Sequence, residues 1–271
     1  MSKEKEQKVF YYKDPLNDDF AELVSKRIEI DENFKFIHKN IFWRMGSWLL
    51  TYLIAAPVVT FYVKCIRHTK FVFDDKKAFK QVNKKPIYIY GNHTNLFVDA
   101  LAPFILSYPH RNKLLAVADA LSIKGLKNLV QLVGALPVPT KLSGTRKFVE
   151  AMDWYHDHGY NLSIYPEAHC WPYYTKIRPF KSSSFMYPVK HNSPVIVTVT
   201  TYSKPKKEDR APRPVIHVSK PFYPDSSLPK KEAEQKLRDE VYAYMVETTE
   251  KYSTYEHIKY VQVENNEIKN T

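Results

Sequence analysis

The stretch that decides the fold is IYIYGNHTNLFVDA, residues 87–100. Residues 87–90 are apolar or aromatic, which is typical of a buried strand, and a helical pattern runs over 96–106. A polar turn carrying His93 joins the two. In an open α/β sheet, residues just past the carboxyl end of a strand line the ligand crevice. We therefore expect His93 at a functional site, with Asp99 six positions later on the helix.

The rest of the chain repeats this alternation. We predict strands at 114–117, 135–138, 162–165, 194–201 and 215–218, and helices at 123–133, 145–156 and 229–251. This order is typical of an α/β fold with a largely parallel central sheet flanked by helices. We expect the last helix to pack on the domain edge, and the polar residues after it to be frayed.

His93 and Asp99 are the residue types of a general base and its supporting carboxylate. A neutral imidazole can take a proton from an alcohol near neutral pH, and a carboxylate on the other ring nitrogen fixes the tautomer. The sequence has no G-x-S-x-G elbow, so an activated alcohol would attack an acyl group directly. In the alternative interpretation, His93 only caps a helix and Asp99 faces solvent.

A second polar segment, SIYPEAHCWPYYTKIRPFK (163–181), also follows a predicted strand. It carries Glu167, His169, Arg178 and Lys181, so two strand-end loops offer complementary groups to one site. No H-x-x-x-H or C-x-x-C spacing is present, and we expect no metal. We interpret Cys170 as a packed thiol.

Together the two segments resemble the phospholipid/glycerol acyltransferase family, which includes 1-acyl-glycerol-3-phosphate acyltransferases. Asn92-His93 with Asp99 is similar to the family's first block, and 165–167 with 179–181 to the start and end of a later one. Segments 132–140 and 194–197 resemble further blocks, so that the likeness covers about 85–202 in the family's order. Two features differ. Five residues separate the His and Asp where most members have four, and Ala168-His169 replaces Gly-Thr.

The resemblance implies transfer of a fatty acyl group from an acyl thioester, on CoA or acyl carrier protein, with no cofactor. The acceptor would be a glycerophosphate or lysophospholipid hydroxyl, above all 1-acyl-glycerol-3-phosphate, giving phosphatidic acid. It implies catalysis by His93 and Asp99 and substrate binding by Asn95, Glu167, Arg178 and Lys181, with Arg178 and Lys181 holding the phosphate of the acceptor. Two alternatives stay open: a non-phosphate acceptor, and a catalytically inactive basic protein that binds membranes.

Charge and hydropathy point to a membrane. The net charge of +12 favours an anionic partner. Without a nucleic-acid-binding signature we expect lipid rather than nucleic acid. Residues 45–63 are uncharged between Arg44 and Lys64, long enough to reach across a bilayer core. Pro57 should break or kink that helix, so a hairpin, a half-inserted segment, a full span and a buried soluble helix all remain.

We divide the chain into a lead-in with a membrane-associated helical segment, 1–68, and an acyltransferase domain with a C-terminal helix, 69–271. The charged N-terminus has no secretory signal, and two distant cysteines suit a reducing compartment. We therefore expect a membrane-associated protein on the cytoplasmic face.

Overall fold

The computed structural model describes residues 7–20, 28–116, 127–205 and 210–263. Its centre is a seven-stranded sheet of β2 (Lys70–Phe73), β3 (Tyr88–Gly91), β4 (Asn112–Ala116), β5 (Ala135–Pro137), β6 (Asn161–Ile164), β7 (Val195–Tyr202) and β8 (Pro214–Val218). The spatial order is β2-β8-β7-β3-β6-β4-β5. Among these strands only β7 and β8 pair antiparallel. The predicted α/β class with a largely parallel sheet is confirmed.

Helices cover both faces of the sheet: α3 (Lys76–Val82), α4 (Leu96–Ser107), α5 (Lys127–Leu132), α6 (Thr145–Asp157), α7 (Met186–His191) and α8 (Lys230–Tyr252). Side chains alternate along a strand. Ile89 accordingly packs in one core with α3 and α4, whereas Tyr88 and Tyr90 pack in the other with α6 and α8. The second core is the larger of the two.

The position predicted for the last helix is wrong. Instead of lying at the domain edge, α8 lies across a face of the sheet and contacts β7. Leu237, Val241 and Met245 follow at four-residue intervals on one side of this helix, and each is at most 1% exposed. Such spacing places all three on a single stripe facing the core.

Most predicted elements occur within two residues of their expected ends. The strand predicted over 114–117 begins earlier, at Asn112, and the helix predicted over 145–156 is α6. Val117 and the first turn of the helix predicted over 123–133 lie outside the described residues, and α5 forms the rest of that helix.

One apolar helix runs unbroken from Ile41 to Ile66. It consists of α1 (Ile41–Leu49), a π-helical stretch (Leu50–Ala55), α2 (Ala56–Phe61) and a second π-helical stretch (Tyr62–Ile66). The first wide turn immediately precedes Pro57, whose missing N–H would otherwise interrupt the hydrogen-bond ladder. The break expected at Pro57, and with it the hairpin, is wrong.

The outer side of this helix is exposed. Its apolar window has a mean hydropathy of 1.8 and is 11% buried, so the helix is not the core helix of a soluble domain. By length and composition alone it could cross a membrane. The exposed apolar side chains include Phe42, Met45, Leu49, Leu53, Val58 and Phe61.

Residues from the two ends of the sequence meet in a two-stranded parallel sheet. It pairs β1 (Lys8–Tyr12) with β9 (Ile258–Gln262), so the frayed tail expected there is wrong for 258–262. Ile30 and Phe36 from the lead-in also join the main core. The division at residue 68 stays a prediction.

Candidate active site

The site begins where β3 ends. Asn92 is 1% exposed, and its side-chain amide pairs with the backbone of Thr200 in β7. Asn92 Nδ2 donates to the Thr200 carbonyl at 3.1 Å, and Asn92 Oδ1 accepts from the Thr200 amide at 2.8 Å. The amide thus continues the strand ladder by one step after the main chain has turned away. This fastening fixes where His93 leaves the sheet.

His93 and Asp99 lie in hydrogen-bond contact, with His93 Nδ1 3.0 Å from Asp99 Oδ2. The same carboxylate oxygen accepts from the backbone amides of Thr94 at 2.8 Å and Asn95 at 2.7 Å. The five residues between His93 and Asp99 allow this contact because 93–95 are not helical and α4 starts only at Leu96. Since three donors converge on one acceptor oxygen, Nδ1 of His93 is the nitrogen that carries hydrogen.

The edge of the imidazole that carries Nε2 is open. The His93 side chain is 17% exposed whereas that of Asp99 is 1% exposed. Within the described part of the chain, Nε2 of His93 has no hydrogen-bond partner. The imidazole therefore presents an acceptor nitrogen outward while its other nitrogen is held from behind.

An aromatic residue sets the plane of that ring. Tyr165 stacks on His93 with ring centroids 4.8 Å apart, and its hydroxyl donates to the backbone carbonyl of Asp99. Burial raises the pKa of Tyr165 well above the ordinary tyrosine value, so its hydroxyl stays a donor. Gly91 makes room for the stack, because a Cβ there would lie 2.7 Å from Cε1 of Tyr165.

Glu167 joins the two strand-end loops. Its Oε2 accepts from the His93 amide at 3.0 Å, and its Oε1 accepts from the Arg178 amide at 2.9 Å. The Trp171 amide donates back to the His93 carbonyl at 3.0 Å. Glu167 is 3% exposed. It therefore organises the backbone around His93 from beneath and does not face an open space.

Arg178 is also internal. Its side chain is 1% exposed, and its guanidinium pairs with Glu167 at 3.4 Å, donates to the carbonyl of His169 and lies over the Trp171 ring at 4.9 Å. A guanidinium occupied in this way is not presented to a ligand. The phosphate-binding role predicted for Arg178 does not fit this arrangement.

Of the two other predicted binding residues, Asn95 is buried and Lys181 is exposed. Asn95 caps α4, where its Oδ1 accepts from the Val98 amide at 3.2 Å, and it is 7% exposed. Lys181 precedes a short 3₁₀ turn (Ser182–Phe185) with its side chain exposed. No hydrogen bond or ion pair among the described residues joins it to His93 or Asp99. Binding of substrate by these residues stays a prediction.

Three features of the site have roles that the sequence did not reveal. Tyr165 was visible only as part of a motif. Tyr202 contributes a buried hydroxyl 3.0 Å from that of Thr94, although it lies 108 positions further along the chain. Ala168 has φ of +64°, the left-handed region that favours glycine. The sequence signal for this conformation was that the resembled motif has a glycine at this position.

Cys170 is buried at 2% exposure, next to this loop. Burial raises the pKa of its thiol. The thiolate form that a nucleophile requires is thereby disfavoured, in keeping with a packed thiol.

Comparisons with known proteins give a single kind of likeness. No family model matches the sequence, and no curated protein matches it. The solved structure of the 1-acyl-sn-glycerophosphate (LPA) acyltransferase PlsC from Thermotoga maritima is similar to this chain, with a TM-score of 0.48 and 16% identity. The match covers 80% of this chain and 98% of that chain. At this level the likeness says nothing of the reaction of this chain.

Proposed function

We propose that this protein is an acyltransferase that moves a fatty acyl group from an acyl thioester to a lipid hydroxyl. The observation that carries the proposal is the contact between His93 Nδ1 and Asp99 Oδ2 at 3.0 Å, with the opposite nitrogen left open. The order of the sequence blocks around these residues supports the same reaction. The acceptor we propose is 1-acyl-glycerol-3-phosphate, with phosphatidic acid as product.

The chemistry needs no protein nucleophile. Nε2 of His93 takes the proton of the acceptor hydroxyl as its oxygen attacks the thioester carbonyl carbon, and the C–O bond forms. Asp99 stabilises the resulting imidazolium through Nδ1–H. When the tetrahedral intermediate collapses, the C–S bond breaks and the thiolate leaves. The imidazolium then returns the proton to the thiolate, so His93 ends the cycle neutral.

The long helix would bring this site to lipid substrates. It contacts the domain along its length: the Ser47 hydroxyl donates to the Leu132 carbonyl at 2.6 Å, Tyr52 donates to the Pro109 carbonyl at 2.7 Å, and Val63 is fully buried. Ser47 and Val63 are about 24 Å apart along the helix. If the helix spanned the bilayer, the domain surface that it contacts over this length would lie in the hydrocarbon core. We infer that the helix lies in the membrane plane with its apolar side in the lipid.

A second acceptor class is favoured by one observation. Because Arg178 is buried against Glu167, the predicted phosphate contacts are reduced to Lys181. A neutral acceptor, such as a monoacylglycerol, would need no such contact. Acyl transfer to a non-phosphate lipid is therefore the alternative.

The test is acyl transfer by the purified protein in detergent, from labelled acyl-CoA or acyl carrier protein, to lysophosphatidic acid and to monoacylglycerol. We expect transfer to lysophosphatidic acid to be faster, and to be abolished in His93→Ala. The matched control is His158→Ala, which removes an exposed histidine at the end of α6. Preference for monoacylglycerol would select the alternative acceptor.

Full retention of function in His93→Ala would contradict enzymatic acyl transfer. If vesicle binding alone persisted and depended on exposed lysines such as Lys84 and Lys85, the protein would be an inactive membrane-binding protein.

A further inference from the structure

A groove of about 690 Å³ lies away from His93, at the opposite end of α4. It is lined by Ile105 and Leu106 from the last turns of that helix, whereas Asp99 is in its first turn. Leu106 is about 10 Å further along the helix axis than Asp99. The groove is thus separate from the candidate active site, and its volume falls in the range of about 300–1,000 Å³ typical of small-molecule sites.

The rim of the groove is basic. Four exposed lysines line it: Lys64, Lys76, Lys80 and Lys84. Among the described residues that line the groove, none is acidic. The two nearby carboxylates are engaged elsewhere, since Asp75 caps α3 at 2.9 Å from the Lys77 amide and Asp74 accepts from the Tyr244 hydroxyl at 2.9 Å. This rim fits an anion.

The wall of the groove is apolar. Phe71, Phe73 and Phe79 form it together with Leu106. A second cavity of about 230 Å³ adjoins it and shares Lys64 and Ile105 among its lining residues. That cavity runs beneath the long helix, where small side chains (Thr51, Ala55, Ala56, Val59, Thr60) leave space against α4. The lining of this crevice is mostly small or apolar, and its more polar members include Tyr52, Lys64, His110, Arg111 and Asn112. A crevice of this kind that leads from a cationic rim fits a molecule with one charged end and one hydrocarbon chain.

The position of the rim indicates that this molecule comes from the bilayer. Lys64 is in the last turns of the helix whose outer side exposes Val58 and Phe61. With that side in the lipid, the lysines lie at the level of the headgroups, where basic side chains attract anionic lipid. We propose that the groove binds one anionic phospholipid of the bilayer, its phosphate among Lys64, Lys80 and Lys84 and one acyl chain in the crevice.

The experiment uses the full chain in neutral detergent and short-chain dihexanoylphosphatidylglycerol as the probe. Native mass spectrometry gives the stoichiometry, and titration gives the affinity. We expect one saturable lipid per chain. Because each basic residue near an anionic headgroup is worth roughly fivefold in binding, reversing two charges in Lys80→Glu/Lys84→Glu should weaken it at least about tenfold. The matched control, Lys230→Glu/Lys259→Glu, makes the same charge change on exposed residues elsewhere and should change the affinity less than about twofold.

Melting temperatures check that the variants fold, and Lys80→Gln/Lys84→Gln decides the matter if the glutamate pair melts early. Equal losses in both glutamate pairs would mean diffuse attraction to a basic surface and would overturn the site. Equal binding of dihexanoylphosphatidylcholine would remove the anionic requirement and overturn it as well. Displacement of the lipid by coenzyme A, or by inorganic phosphate at similar concentration, would assign the lysines to a soluble anion instead. None of these readouts depends on acyl transfer.

Discussion

Replacing Asp99 by asparagine tests the candidate mechanism most directly. The amide keeps an oxygen that can accept from the Thr94 and Asn95 backbone, so the turn should persist. It removes the negative charge 3.0 Å from Nδ1 of His93. Two unit charges at that distance attract by about 5 kcal/mol when the effective dielectric constant is ~20.

The amide dipole and hydrogen bond retain part of this attraction. We therefore expect kcat to fall by about 10³–10⁴-fold, since each 1.36 kcal/mol is about tenfold in rate. KM should change little, because the attraction grows only as His93 becomes protonated in the transition state. The assay is steady-state acyl transfer from acyl-CoA to the preferred lipid acceptor.

Asp75→Asn is the matched control. Asp75 also accepts from two helix N-terminal amides, of Lys77 and Ala78, both at 2.9 Å, but it lies away from the site. This variant should keep its helix cap, because asparagine caps a helix about as well as aspartate, and it should keep its kcat. A kcat for Asp99→Asn within tenfold of the native value, with melting unchanged, would refute the role given to the carboxylate.

Three further outcomes follow from single contacts. Gly91→Ala should displace Tyr165 from His93, because its Cβ would lie 2.7 Å from the Tyr165 ring. We expect a loss of about 1–3 kcal/mol in unfolding free energy and at least a tenfold loss of kcat. Unchanged kinetics would contradict the stacking role. Arg178→Met should leave the buried Glu167 charge without its partner and cost about 3–5 kcal/mol of stability. The rates of transfer to phosphate and neutral acceptors should fall equally. A KM increase confined to the phosphate acceptor would instead show that Arg178 binds the phosphate. Burial lowers the pKa of Lys113 from 10.5 to about 7. Between those pH values the unfolded chain binds more protons than the folded chain, so the free energy of unfolding rises with pH, by about 2 kcal/mol from pH 7 to pH 9. Chemical unfolding of Lys113→Met should show no such rise, and a rise that persisted in this variant would belong to other groups.

The alternating core of the fold could be predicted because its signal is local. β3, β6 and β7 are apolar runs next to helical patterns, and this alternation predicts a largely parallel sheet. The order of the strands in that sheet was not predicted. β1 and β9 could not be predicted in this way. Each is a short, partly exposed strand with no partner nearby in the sequence, and Lys8 pairs with Ile258, 250 positions later.

The site divides along the same line. His93 and Glu167 stand out because they lie in polar loops just after buried strands, and Asp99 stands out as the acidic residue on the helix that follows His93. The sequence does not show whether the Arg178 side chain is buried or faces a ligand, since a basic residue in a polar loop serves equally well as a phosphate ligand or as a buried partner of Glu167. The folded structure distinguishes the two, because the guanidinium pairs with Glu167 at 3.4 Å and lies over the Trp171 ring at 4.9 Å.

The pairing of β1 with β9 has a consequence for biosynthesis. Tyr12 and Tyr260 from these strands both pack on Trp171, with ring centroids 4.7 and 5.0 Å away, and the Trp171 amide holds the His93 carbonyl. During synthesis β9 emerges from the ribosome long after the loops that carry His93 and Trp171. Tyr260 can therefore pack on Trp171 only after translation has passed residue 262, and polypeptides truncated before β9 should show a lower rate of acyl transfer than the full chain.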